Sequence, residues 1–271
     1  MNLNNNQKHS ISQTVAAEDE QYSLSKIVGI WALATAPMVL FAFVVTPAVI
    51  RWFNIPPSVP SFLVFWPFMI IGLMWQFVLS LIIVRRECGN VKWQTIRRRM
   101  WYNKPRDPRT GRRSYWLFLW AIPVIALSYA AQYVHLPNIV STIFPFADNL
   151  PHYSLGEVMT PEYKGAWWLL VLTLITIPFN YFLGEEFLFR GILLPKMRGV
   201  FGRWDWFFNG VFFGMYHLHK PFGIPHQILF SGLILSLPAR LFRSNWMSVI
   251  IHGTEALVAL WIIIAIILGN T

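Results

Sequence analysis

From Ser61 to Val84 the chain runs without a charged side chain, until Arg85-Arg86 closes the tract. A helix rises 1.5 Å per residue, so about 20 apolar residues cross a hydrocarbon core of about 30 Å. Six further tracts approach that pattern: Ile27–Val49, Tyr115–Val134, Gly165–Leu194, Trp204–His219, Gln227–Phe242 (short and interrupted by Pro238) and Asn245–Leu268. Charged residues make up 13% of the chain and hydrophobic ones 55%, whereas soluble domains are about 25% charged. An ordinary soluble domain, a disordered chain and a collagen-like chain are all excluded. Every backbone polar group in lipid needs an internal partner, and long continuous apolar tracts meet that need as helices rather than as a barrel. The expected fold is therefore an all-α, polytopic transmembrane helical bundle of about seven spans. An eighth is possible if residues 220–226 form a re-entrant piece.

The net charge of +10 would suit nucleic acid, but its placement does not. Eleven basic and two acidic residues lie between Arg85 and Arg113, so one loop holds nearly the whole excess. This reads as a positive-inside signal that also attracts anionic lipid headgroups at 85–113, with no nucleic-acid partner. The single cysteine, Cys88, lies in the same loop and permits no intrachain disulfide. Residues 1–26 are polar, without the short apolar core of a signal peptide, and read as a mobile cytoplasmic tail. The remaining organisation is N-terminal transmembrane helices over 27–134 with a basic cytoplasmic loop at 85–114, an external loop over 135–164, and a helical core over 165–268. The basic turn 195–204 and the Arg240/Arg243 end fall on the same side as loop 85–114 when spans alternate from a cytoplasmic N-terminus. The chain shows neither an internal repeat nor matched broken helices, which counts against a transporter.

Ionisable groups within the spans are costly and face the bundle interior. They occur only in the C-terminal half: Glu185-Glu186 with Arg190, His217, His252 and Glu255. Glu186 and Arg190 are four apart and share a helix face, so they can pair. Glu185 points about 100° away, which leaves one carboxylate held and the other available as a general base or acid. Spacing alone equally allows a purely structural Glu–Arg lock. Asn209, Phe213 and His217 form a second stripe, beside Gly210 and Gly214, which permit close helix approach. His219 sits at the helix end and reads as an interfacial residue. By helical rise, Glu185, His217 and His252 lie about 15, 20 and 10 Å from the basic side, and so converge on one layer.

The ordered motifs Glu185-Glu186-x-x-x-Arg190, Phe213-x-x-x-His217 and His252 after Trp246–Ile251 resemble those of the CPBP family. This family comprises the CAAX proteases and bacteriocin-processing enzymes, also called ABI proteins, and includes the type II CAAX prenyl endopeptidases. The resemblance covers about residues 165–260. It implies an intramembrane protease in a multi-pass protein, on its bacterial relatives one of the bacterial plasma membrane, acting on a peptide or lipidated peptide near the cytoplasmic face. Under that resemblance Glu185 activates water with help from His217, Glu186 pairs with Arg190, and His252 stabilises the oxyanion. The family also carries a metalloprotease label. No HExxH pair is present, so a metal-free, glutamate-activated water is favoured. The alternative is Zn held by Glu185, His217 and His252, with one position open for water. One departure is plain: the family's HxxxN motif has Ala256 where the Asn belongs. Asn209 is the candidate substitute from another helix. The competing function is a catalytically inactive family member that acts by binding, for example in bacteriocin immunity.

Overall fold

The computed structural model describes residues 20–134, 136–137 and 139–270. Among them no strand forms; the only bridge pairs Arg106 with Arg113. The principal helices are α1 (Leu24–Trp52), α2 (Ser61–Cys88), α3 (Trp93–Arg99), α4 (Tyr115–Ala131), α5 (Trp168–Lys196), α6 (Asp205–Tyr216), α7 (Pro221–Phe242) and α8 (Asn245–Leu268). Of these, α1, α2, α5, α7 and α8 are long and apolar enough to cross a membrane. The third and fifth expected spans form the shorter α4 and α6. Conversely, α7 starts upstream of the expected Gln227. Pro221 and Pro225 stand in the first turns of helical segments, where a missing N–H costs nothing. Residues 220–226 thus make the α6–α7 turn and the start of α7, not an additional span.

Large apolar side chains such as Leu257, Trp261 and Val171 point outward from the spans, which in lipid is the favourable direction. Within the bundle α1 packs on α2, α2 on α5, the first half of α5 on α8, and α4 against α7 and α8. Helix α6 folds back on α7 as a hairpin. The expected close approach of Gly210 and Gly214 is realised there. A Cβ on Gly210 would lie 2.4 Å from the Gly232 Cα, and one on Gly214 would lie 2.8 Å from the Ile228 backbone nitrogen.

Indole N–H groups tie helices together, in one case where a proline frees a carbonyl. Pro37 has no N–H, so the Leu33 carbonyl loses its helical partner; the Trp75 indole of α2 donates to it at 2.8 Å. The Trp31 indole likewise donates to the Phe212 carbonyl of α6 at 2.9 Å.

At the basic end, residues 20–23 are not part of a free tail. Tyr22 is buried, its N–H donates to the Lys196 carbonyl at 2.9 Å, and the Lys196 ammonium donates to the Glu20 carbonyl. The rest of the expected tail, residues 1–19, lies outside the described residues. Burial pushes the Tyr22 phenol well above its ordinary value, so it stays protonated. Arg99, buried in the basic loop, ties this end together: it pairs with Glu87 at 2.9 Å and donates to the Gly191 and Ile192 carbonyls of α5. At the opposite end, the segment between α4 and α5 folds over the bundle. Glu157 accepts from Ser61 and Phe62 at the start of α2, and His152 stacks on Phe222 in the α6–α7 turn at 4.7 Å.

Substituting Gly210 by Val drives a branched side chain into the Gly232 backbone. The expected loss is at least the 1–3 kcal/mol, roughly, of ordinary overpacking, read as a lower unfolding midpoint of the full chain in detergent.

Candidate active site

Glu185 and Glu186 sit at a break in α5. Pro178 withdraws one helical hydrogen bond, and the next turn widens: the Gly184 N–H bonds five residues back, to the Phe179 carbonyl, at 2.8 Å. Wide turns over Phe179–Leu183 and Phe187–Leu193 flank the pair. Such widened turns recur at functional sites. Only glycine fits at 184, where a Cβ would lie 2.4 Å from the Phe179 carbonyl oxygen and 2.9 Å from that of Leu73 in α2. The backbone beside Glu185 is thereby pressed onto α2. In the five-residue register Asn180 comes to the same side as Glu185, and both line a cavity of about 260 Å³.

Glu186 turns away from that cavity into a closed polar knot. Its Oε1 accepts from Arg190 Nη1 at 3.1 Å and from His252 Nδ1 at 2.9 Å, and both members of the Glu186–Arg190 pair are fully buried. The expected i, i+4 pair is formed, and His252 joins it from α8. The Asn245 amide donates to the Glu186 carbonyl at 3.1 Å, and Ser248 donates to Asn245 at 2.8 Å. The Arg190 guanidinium lies 4.0 Å over the Phe213 ring, a cation–π contact that gains strength without water. Phe213 is therefore a platform, and its ring also makes T-shaped contacts with His217 and His252.

His217 ends α6 and lines the same cavity as Glu185 and His252. Its Nδ1 faces the Phe213 carbonyl at 2.9 Å. A carbonyl only accepts, so Nδ1 carries the proton and Nε2 keeps a lone pair. His252 Nε2 lies 3.8 Å from Glu255, on the cavity wall.

Asn209 does not join the others. It is buried, donates to the Phe189 carbonyl at 2.8 Å and accepts from Ser236 at 2.8 Å, so it clamps α5, α6 and α7 together outside the cavity lining. His219, expected at the interface, is instead buried against His217 and lines the cavity. Gln76 also departs from the reading of the N-terminal spans as apolar packing. It is fully buried in α2 and donates to the Tyr216 hydroxyl at 2.8 Å. That hydroxyl in turn faces Glu185. Its only sequence signal is being the sole amide in the charge-free second tract. Asn180, Tyr216 and Lys220 gave no periodic signal.

Zinc does not fit this arrangement. Among the described residues no three His, Cys, Asp or Glu side chains come together in a metal-holding group.

The family model "Type II CAAX prenyl endopeptidase Rce1-like" matches residues 164–258. This segment belongs to the CAAX protease family. The CAAX-type segment spans α5, α6, α7 and the first half of α8, and it holds every carboxylate and imidazole that lines the cavity. Gln76 and the α4 part of the cavity wall come from outside it. No curated protein and no solved structure gives a significant match to the chain.

Removing one member of a buried ion pair strands the other, which costs about 3–5 kcal/mol. Arg190→Met is therefore expected to lower the unfolding midpoint far more than Glu185→Gln, whose carboxylate is outside the knot. Denaturant titration of both variants in one detergent checks this ordering.

Proposed function

We propose that the chain is an intramembrane endopeptidase that hydrolyses a peptide bond within the bundle, in the layer that holds Glu185, His217 and His252; the face carrying the basic loop is the cytoplasmic one. The observation that carries the reading is the division of labour between adjacent glutamates. Glu186 is consumed by Arg190 and His252, whereas Glu185 faces a cavity shared with His217.

In this reading the Glu185 carboxylate takes a proton from water, and the hydroxide adds to the scissile carbonyl. The His217 Nε2 lone pair orients that water. The same proton then passes from Glu185 to the departing amine as the C–N bond breaks, so protons balance over the cycle. The oxyanion is met by His252 Nε2–H, which requires the imidazolium; Glu186 and Glu255 flank that charge. Ala256 offers no donor, and Asn209 is occupied elsewhere. Asn180 lies in the cavity wall on the Glu185 side and takes the role of the missing amide. Tyr216, fixed by Gln76, orients Glu185. The substrate is a peptide or lipidated peptide reaching the site through the membrane, and the basic loop holds anionic headgroups nearby.

The test is cleavage of a library of lipidated and unmodified peptides by protein in liposomes. Glu185→Gln and His217→Ala are expected to lower kcat by about 10²–10⁴, and Asn180→Ala by about 10²–10³, while all three insert normally. Chelator leaves the wild-type rate unchanged. Silence from wild type with turnover gained in Ala256→Asn would instead favour the inactive, binding reading that Ala256 motivates.

A further inference from the structure

A second, strongly charged recess lies at the basic end of the bundle, away from the acid and imidazole groups. Arg106 and Arg109 enter it from the basic loop, Arg198 and Arg203 from the turn between α5 and α6, and Arg240 and Arg243 from the end of α7, around a groove of about 600 Å³. Only two carboxylates line it, and both are engaged. Asp205 pairs with Arg240 at 2.5 Å. Asp107 accepts from the Thr110 and Arg109 backbone N–H groups, which hold its carboxyl below the usual range. Six guanidinium groups thus face two carboxylates.

The groove is held by bonds to backbone carbonyls rather than by loose side chains. The Arg106 N–H donates to the Phe242 carbonyl at 2.8 Å, the Asn245 N–H to the Trp101 carbonyl at 2.9 Å, and the Ser244 hydroxyl to the Asn103 carbonyl at 2.6 Å. Arg243 adopts the left-handed region, φ 45°, as does Trp101, φ 58°, and the Arg243 guanidinium lies over the Trp101 ring. Non-glycine residues hold such backbone only where the surroundings impose it. Burial, and then the neighbouring Arg240, Arg106 and Arg198 charges, push the Arg243 guanidinium below its ordinary value. Like charges are concentrated here at a cost that a bound anion would remove.

The depth of the groove selects the anion. It opens where three spans end, at Lys196, Phe242 and Asn245, and Trp206 and Leu241 complete its wall. Tryptophan at this level marks the headgroup region. Guanidinium forks match phosphate oxygens two at a time, and basic pockets at the ends of spans take acidic headgroups. We propose that this groove is a specific site for the phosphate of an anionic phospholipid.

The test uses the full chain in neutral detergent, titrated with dioctanoyl phosphatidylglycerol, dioctanoyl phosphatidylcholine or inorganic phosphate, with thermal stability as the readout. Wild type is expected to gain Tm saturably with phosphatidylglycerol alone. The triple variant Arg106→Gln/Arg198→Gln/Arg243→Gln is expected to need at least tenfold more of it. The equally discharged Arg86→Gln/Arg97→Gln/Arg112→Gln keeps the wild-type response. Arg198→Gln alone, from an exposed turn, keeps the test open if the triple variant is unstable without lipid, and should shift the midpoint about threefold. Equal loss in both triple variants would overturn the proposal in favour of diffuse surface charge. An equal response to inorganic phosphate would overturn the lipid assignment.

Discussion

A carboxylate placed inside a membrane protein must be matched or it cannot stay. An unpaired charge in the bilayer centre costs about 2.5–3.5 kcal/mol even on the most lenient scales, and Glu186 is fully buried. Its carboxylate is matched by Arg190 one turn away and by His252 from α8, and Asn245 at the start of α8 holds its backbone carbonyl. That knot sets how α5 and α8 lie against each other. It also frees Glu185, because the neighbouring side chain must point elsewhere once Glu186 is committed.

The N-terminal spans look like packing material, yet the glutamate-bearing turn of α5 depends on them. Gly184 rests on the Leu73 carbonyl of α2, and Gln76, a turn further along, supports Tyr216. Below the glutamates, the wide turn over Phe187–Leu193 leaves carbonyls short of helical partners, and buried Arg99 takes those of Gly191 and Ile192. A helix broken in a membrane needs outside donors, and here they come from the half of the chain with no catalytic motif.

Charge and periodicity made much of this legible. The Glu186–Arg190 pair follows from i, i+4 spacing, the α6–α7 approach from Gly210 and Gly214, and the helical bundle from uncharged tract length. The errors have common physical causes. The first turns of α7 hold Pro221 and Pro225, which break the apolar tract without breaking the helix. Helical arithmetic with 3.6 residues per turn placed Asn209 on the His217 stripe, but the stripe is wide enough for one end to reach the cavity while the other is buried between helices. Asn180 was invisible for the converse reason: it meets the Glu185 side only in a widened turn, and no residue spacing announces one. Pro178 followed by Gly184 was the available hint.

The widened turn also bears on Ala256. An amide one turn after His252 would present its donor from α8, across the knot from the base. In the proposed reaction Asn180 presents one from α5, on the helix that carries Glu185, with Gly184 between them pressed onto α2. Base and donor then move as one body, whereas in an HxxxN arrangement their separation depends on the α5–α8 contact. Here that contact is already committed to Glu186, Arg190 and His252. In the proposed reaction, placing the amide on α5 separates two requirements that the usual motif combines: α8 locks the fold and supplies the imidazole, and α5 alone sets the distance between the attacking water and one of the groups that receives the oxyanion.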